Sequence, residues 1–342
     1  MRAAVLHEAG GALVVEEVPR PEPGPDEVLI RVRACGLGLT LVWNRNERRR
    51  PGRLPRIIGH EIAGDVVATG ERVGRIQAGD RVAVYYYLTC GSCRWCRNGR
   101  ESLCQNREGQ VGGEIDGGLA EFVRVPCANV CPIPGEVGYL DAAIAADALA
   151  TSLHILNGRA RVVAGETVLV VGGGGGVGAH VVQVARLLGA RVIAADISAE
   201  KLELAARAGA EDVIDSTGTR IDEVVSRLTD GLGVDVVVEM VGLEDTLRQS
   251  AASLGRSGRL VLVGSYDRDA SLAVTHSTLR GEASVMGSQY CTRSDIEQAL
   301  TLVAQGRIRP IVPHVCKLEE ADAVLGRIER MELAGRACVV FD

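Results

Sequence analysis

The sequence predicts an α/β protein: a doubly wound parallel sheet joined to a second, β-rich domain. Three observations carry this. An apolar strand, Thr167 to Val171, runs into the glycine turn Gly172-Gly173-Gly174-Gly175-Gly176-Val177-Gly178 and then an amphipathic helix. Strand and helix patterns then alternate regularly to about residue 293, which is how parallel sheets are wound. Residues 1 to about 35 read instead as short apolar runs broken by prolines, without helical period.

The glycine turn is the most informative stretch. A buried parallel strand that turns sharply into a helix points the first free N–H groups at whatever lies beyond, and that is where a diphosphate is held. Side chains there would keep phosphates away. Gly173, Gly175 and Gly178 satisfy G-x-G-x-x-G, while Gly172, Gly175 and Gly178 satisfy G-x-x-G-x-x-G, so the register stays open. Gly176 and Val177 complete the loop. Asp196 ends the next strand, about 20 residues on, where a carboxylate accepts from an adenosine ribose diol and repels a 2′-phosphate. NAD is therefore favoured over NADP, with Lys201 and Arg191 near enough to keep NADP in view. The cofactor should lie across the carboxyl ends of the strands, near Lys201, Val241, Gly242, Gly264 and Ser265.

Taken in order, residues 1 to 35 are β-rich, with Pro19, Pro21, Pro23 and Pro25 as breaks before Glu27-Val-Leu-Ile-Arg-Val-Arg. Cys35 and His60 each stand beside a glycine and could form half of a metal site, although a buried Cys or His is the commoner finding. Cys90, Cys93, Cys96 and Cys104 form a C-x2-C-x2-C-x7-C lobe. Four thiols that close suit one tetrahedral metal without an open position, which is structural zinc, with an iron–sulfur cluster as the lesser rival. Arg94, Arg97 and Arg100 suit its negative charge. Asp147 lies in an alanine-rich helix, either bound to a metal or capping and facing solvent. The tail, 294 to 342, reads as helix, strand, helix, strand and should return to the first domain.

Charged residues make up 24% of the 342 and the net charge is −6, which excludes a nucleic-acid backbone as main partner. No membrane-surface signal is present, and no apolar run was expected to reach the length of a membrane span. A cytoplasmic enzyme is expected. Ten cysteines, five of them at metal-ligand positions, read as metal chemistry rather than as disulfides.

Together these residues resemble the zinc-containing medium-chain alcohol dehydrogenase family over essentially the whole chain. Gly59, His60, Glu61, Gly64, Gly70 and Val73 match its G-H-E-x2-G-x5-G-x2-V signature, and the cysteine lobe and glycine loop follow in the family order. The resemblance implies a Rossmann cofactor domain over 148–293 and a GroES-like catalytic domain over 1–147 and 294–342, with the zinc lobe at 90–104. It implies two zinc ions per chain, one structural and one catalytic, the latter held by Cys35, His60 and Asp147 with Glu61 in or beside the shell. Thr40 would take the alcohol proton while hydride passes between substrate carbon and nicotinamide. Homodimers or homotetramers and a small alcohol, aldehyde or ketone substrate also follow from the likeness.

Three departures from the family pattern stand out. Leu41 replaces the Asp that orients the zinc-bound His, Arg336 thereby loses its usual partner, and Trp43 stands where a relay His often follows. Two alternatives follow: a zinc-poor reductase of activated double bonds or quinones, and a nicotinamide-binding protein without catalysis. About two zinc per chain would favour the dehydrogenase, and about one either alternative. Arg45, Arg48, Arg49, Arg50 and Arg53 form either a solvated loop or a grip on an anionic substrate tail.

Overall fold

The structure is a computed structural model that describes residues 1–46, 53–264, 270–272 and 275–342. It divides into two compact units, Met1–Ala150 with Cys291–Asp342, and Thr151–Tyr290.

The first unit is built on the strand Glu27–Leu37, whose Val28, Leu29, Ile30, Val32, Ala34, Cys35 and Leu37 are all buried. Burial on both faces explains its nearly unbroken apolar run. It pairs antiparallel with Glu61–Thr69, Phe122–Pro126 and Ala337–Val340 within a seven-stranded sheet. The tail thus closes the sheet it was expected to rejoin. Two registers matter for the site: Gly36 faces Glu61 on one side, and Ala337 faces Leu37 on the other. One further step along the second register sets Arg336 against Gly38.

The helix carrying Asp147 starts as Tyr139–Ile144, widens into a π-helical turn at Ala145–Leu149 and resumes at Ala150–Leu153. Such turns re-aim single side chains and concentrate at functional positions. Contrary to expectation, one stretch does have span length: Tyr139–Ala160 is 22 residues long, and its most apolar 18-residue window has mean hydropathy 1.2. That window is 78% buried by the protein itself, as in the core helix of a globular fold.

The second unit is a six-stranded sheet in the order Asp212–Asp215, Arg191–Asp196, Thr167–Val171, Val234–Glu239, Leu254–Leu262, Ser284–Gly287, every pair parallel. Numbered within the unit this is 3-2-1-4-5-6, the doubly wound arrangement of a Rossmann fold, with its switch point between Thr167–Val171 and Val234–Glu239. Val168, Leu169, Val170, Val236, Val237 and Val238 are fully buried, which is why these strands read as solid apolar runs.

Candidate active site

At the head of the second unit, Gly172 makes the turn at φ +84°, where a side chain would be strained. A Cβ on Gly178 would lie 2.9 Å from the Gly172 carbonyl carbon, so the first and last glycines of the G-x-x-G-x-x-G register pack on each other. The other register's Gly173 is held by Ala194 instead, its Cβ position lying 2.8 Å from that methyl. Asp196 anchors the loop: it accepts from the Gly174 amide at 2.8 Å and from the Ile197 amide at 2.8 Å. Lys201 is buried beside it, Nζ 4.0 Å from Oδ1, and its amide is capped by Ser198 at the start of the helix Ala199–Ala208.

Across the switch point a residue that sequence reasoning missed takes charge. Glu239 is fully buried and accepts from the amides of Val241 at 3.2 Å and Gly242 at 2.8 Å and from the Thr246 hydroxyl at 2.8 Å. Burial raises its carboxyl pKa, against the lowering by those donors. Its signal was a lone acid ending an apolar strand. Gly264 packs against the same turn, its Cβ position 2.5 Å from the Met240 carbonyl oxygen. Ser265 lies outside the described residues.

In the first unit the four lobe cysteines are free thiols. Their sulfurs stand 3.5 Å apart for Cys93–Cys96 and Cys90–Cys104, 3.9 Å for Cys93–Cys104 and 4.0 Å for Cys90–Cys96. A tetrahedron with Zn–S of about 2.3 Å has edges of about 3.8 Å, so the lobe has the dimensions of a zinc site. Amides from Cys93 and Ser92 pull the Cys90 pKa down to about 6, favouring the thiolate a metal needs. Arg94 and Arg100 lie over the Trp95 ring, at 4.5 and 5.1 Å.

The second expected metal site is arranged differently. His60, Glu61 and Asp147 converge, their ligand atoms all within 4.8 Å of one another and their side chains buried. Cys35 does not join them. On a strand successive side chains point to opposite faces, and here residue 36 faces the cluster: a Cβ on Gly36 would lie 2.8 Å from the Glu61 Cδ. Cys35 therefore points away, into the apolar core and under the Gly59 and Leu119 backbone. Its thiol pKa is raised well above the ordinary value by burial, with Cys338 and Cys316 adding to it. The ligand set Cys35, His60 and Asp147 is thus corrected to a cluster without sulfur.

What sits among these groups is Arg336. Its guanidinium pairs with Glu61 through two nitrogens, Nε to Oε2 at 3.0 Å and Nη2 to Oε1, and Nη2 reaches Asp147 Oδ1 at 3.1 Å. The other Asp147 oxygen is 3.2 Å from His60 Nε2. Arg336 thus lacks the usual partner at 41 and pairs with Glu61 and Asp147 instead. Burial pulls its pKa down to about 10, still cationic at neutral pH. The His60 ring rests on Tyr86, centroids 4.2 Å apart, and its Nδ1 is buried with no hydrogen-bond partner among the described residues. Asp147 and Tyr86 thus orient His60 where Leu41, fully buried in the core, does not. A divalent cation does not fit beside a guanidinium that already bridges both carboxylates.

Thr40 is half-buried on the short helix Leu39–Arg45. Arg45, proposed to grip an anionic substrate, is instead buried against Asp322 and Glu329. Arg48, Arg49 and Arg50 lie outside the described residues, and Arg53 is exposed.

Comparison with known proteins places this geometry. Residues 24–135 match the alcohol dehydrogenase GroES-like domain and residues 176–305 the zinc-binding dehydrogenase domain. The chain belongs to the zinc-type medium-chain dehydrogenase/reductase family. Within that family it is 32% identical over 349 residues to an NAD-dependent alcohol dehydrogenase of Sulfurisphaera tokodaii, covering 99% of this chain and all of that one. It is equally, 32%, identical over 323 residues to an acryloyl-coenzyme A reductase of Metallosphaera sedula, covering 94% of each. The crystal structure of AibC superposes with a TM-score of 0.92 at 38% identity, covering 99% of this chain and 95% of that one. The relatives are named for two different reactions. What those have in common is oxidoreductase chemistry on a small molecule.

Proposed function

We propose that this member of the family is an NAD(H)-dependent reductase of carbon–carbon double bonds conjugated to a carbonyl, such as those of enoyl thioesters. One observation carries the reading: the cation among His60, Glu61 and Asp147 is Arg336, and among the described residues no donor set with a vacant coordination position is left for a Lewis acid. An alcohol must shed its hydroxyl proton as hydride leaves, and a metal with an open position is what stabilises the alkoxide. A conjugated double bond is polarised by its own carbonyl and needs no such metal.

In the second unit, the amides of Gly176, Val177 and Gly178 at the start of the helix fit the pyrophosphate of a dinucleotide and Asp196 fits its ribose diol. NAD(H) bound there would supply the hydride. The residues of this chain hold and orient: Asp196 pins the glycine loop, and Glu239 fixes the turn at Val241 and Gly242. In the first unit Arg336 keeps the two buried carboxylates compensated, and Asp147 and Tyr86 hold the His60 imidazole. The lobe cysteines fit one zinc ion that braces their loop.

A second reading, a zinc-dependent alcohol dehydrogenase acting with NAD through Thr40, is favoured by the name of the Sulfurisphaera relative and by Thr40's place in the family pattern. Both readings are separated by following nicotinamide absorbance with enoyl thioesters, quinones, ketones and alcohols, with NADH, NADPH and their oxidised forms, with and without a chelator. Thioester reduction that survives chelation supports the reductase. Alcohol oxidation that dominates and vanishes with chelation overturns it.

A further inference from the structure

We propose that Arg336 is the resident cation of the His60–Glu61–Asp147 cluster, and that Arg336 and Gly38 together keep divalent metal out of it. The inference concerns which cation the cluster holds and stands whichever substrate the enzyme takes.

Two buried carboxylates facing an imidazole at these distances would ordinarily recruit a metal ion, because uncompensated charge in the interior is costly. Here the compensation is covalently attached. Arg336 directly precedes the strand Ala337–Val340, and that strand's antiparallel register with Glu27–Leu37 delivers the guanidinium against Gly38. A Cβ on residue 38 would lie 2.5 Å from the Arg336 Cζ and 2.7 Å from its Nη2. Only a residue without a side chain leaves room for the guanidinium. The same geometry shows where a fourth ligand would have to come from: a side chain at 38 projects straight at the group bonded to Glu61 and Asp147, whereas Cys35 faces the other way. Leu41, on the helix that Gly38 caps, is apolar and offers Arg336 no competing carboxylate. Glycine at 38, leucine at 41 and arginine at 336 thus act as one device that substitutes a fixed guanidinium for an exchangeable ion.

The test is metal content per chain of protein produced with ample zinc. The native chain should carry one zinc. The double variant Gly38→Cys, Arg336→Ala should carry two metal ions. Two zinc ions in the native chain overturn the proposal, and that measurement needs no variant to fold. It is overturned equally if the double variant, folded by circular dichroism, stays at one. A native chain with one zinc that reduces no conjugated thioester would refute the proposed function and leave this inference intact.

Discussion

Replacing Arg336 by Leu tests how much the fold itself depends on this cation. Arg336 is 6% exposed and its partners Glu61 and Asp147 are 0% and 8% exposed, so neither carboxylate can turn to water when the guanidinium goes. Removing one partner of a buried ionic set costs about 3–5 kcal/mol, mostly from the charge left behind. The unit carrying the cluster has about 200 residues, for which each kcal/mol moves the melting temperature by about 2–4 °C, giving a drop of about 6–20 °C. Calorimetry in buffer without added divalent metal measures it. Adding Glu61→Gln to Arg336→Leu separates charge from packing: if stranded charge is the cause, the double variant melts above the single one. A single variant within about 2 °C of the native chain, or a double variant less stable than the single, would show that the network carries no such energy.

Four further outcomes follow from the same geometry. A thiol-reactive dye plus chelator should release one zinc per chain from the cysteine lobe and lower the melting temperature by about 5–10 °C, the loss of about 2.7 kcal/mol of linkage at a hundredfold excess over Kd; release without any change in melting would deny the lobe a bracing role. Asp196→Ala should weaken NADH binding about tenfold, or about 1.4 kcal/mol, while sparing NADPH, as read by nicotinamide fluorescence, and an unchanged NADH to NADPH ratio counts against its role. Burial raises the Glu239 pKa above its ordinary 4.5, so the folded state holds that proton more tightly than the unfolded one. Its contribution is fully present below 4.5 and fades as pH rises through the raised value; urea melts across this window should lose that slope in Glu239→Gln, and an identical slope would refute it. Arg45→Ala should lower stability by breaking the Asp322 and Glu329 contacts and leave KM for anionic substrates unchanged, since the side chain is only 10% exposed.

The cofactor unit was legible because its signals are local. The strand at Thr167–Val171, the glycine turn, and Asp196 are each set by residues adjacent in sequence, and the alternation of buried valine runs with amphipathic helices fixes a parallel sheet without reference to distant contacts. The cysteine lobe was legible for the same reason, its four ligands falling within one loop. The first unit's cluster was only half legible. His60 and Asp147 were named from their sequence context and Glu61 from the family resemblance, yet the choice of Cys35 failed on a one-residue question. Strand periodicity is two, so residues 35 and 36 face opposite sides of the sheet, and nothing in the sequence states which face looks onto Glu61.

The partners of Arg336 were not legible for a different reason, which bears on reading active sites generally. Leu41 was read as removing the arginine's usual partner, and what would replace it was not named. Desolvation forbids a buried cation to stand alone: once residue 41 offers no carboxylate, the guanidinium must find others within its reach, and the buried acids that it meets among the described residues are Glu61 and Asp147. Those are the same two acids that would otherwise call for a metal. A single apolar replacement at 41 therefore propagates, through the requirement that buried charges be matched, into a change of which cation the site contains. Gly38 makes the change sterically possible, and neither substitution reveals it alone, because each acts through a contact between segments about 300 residues apart in the chain.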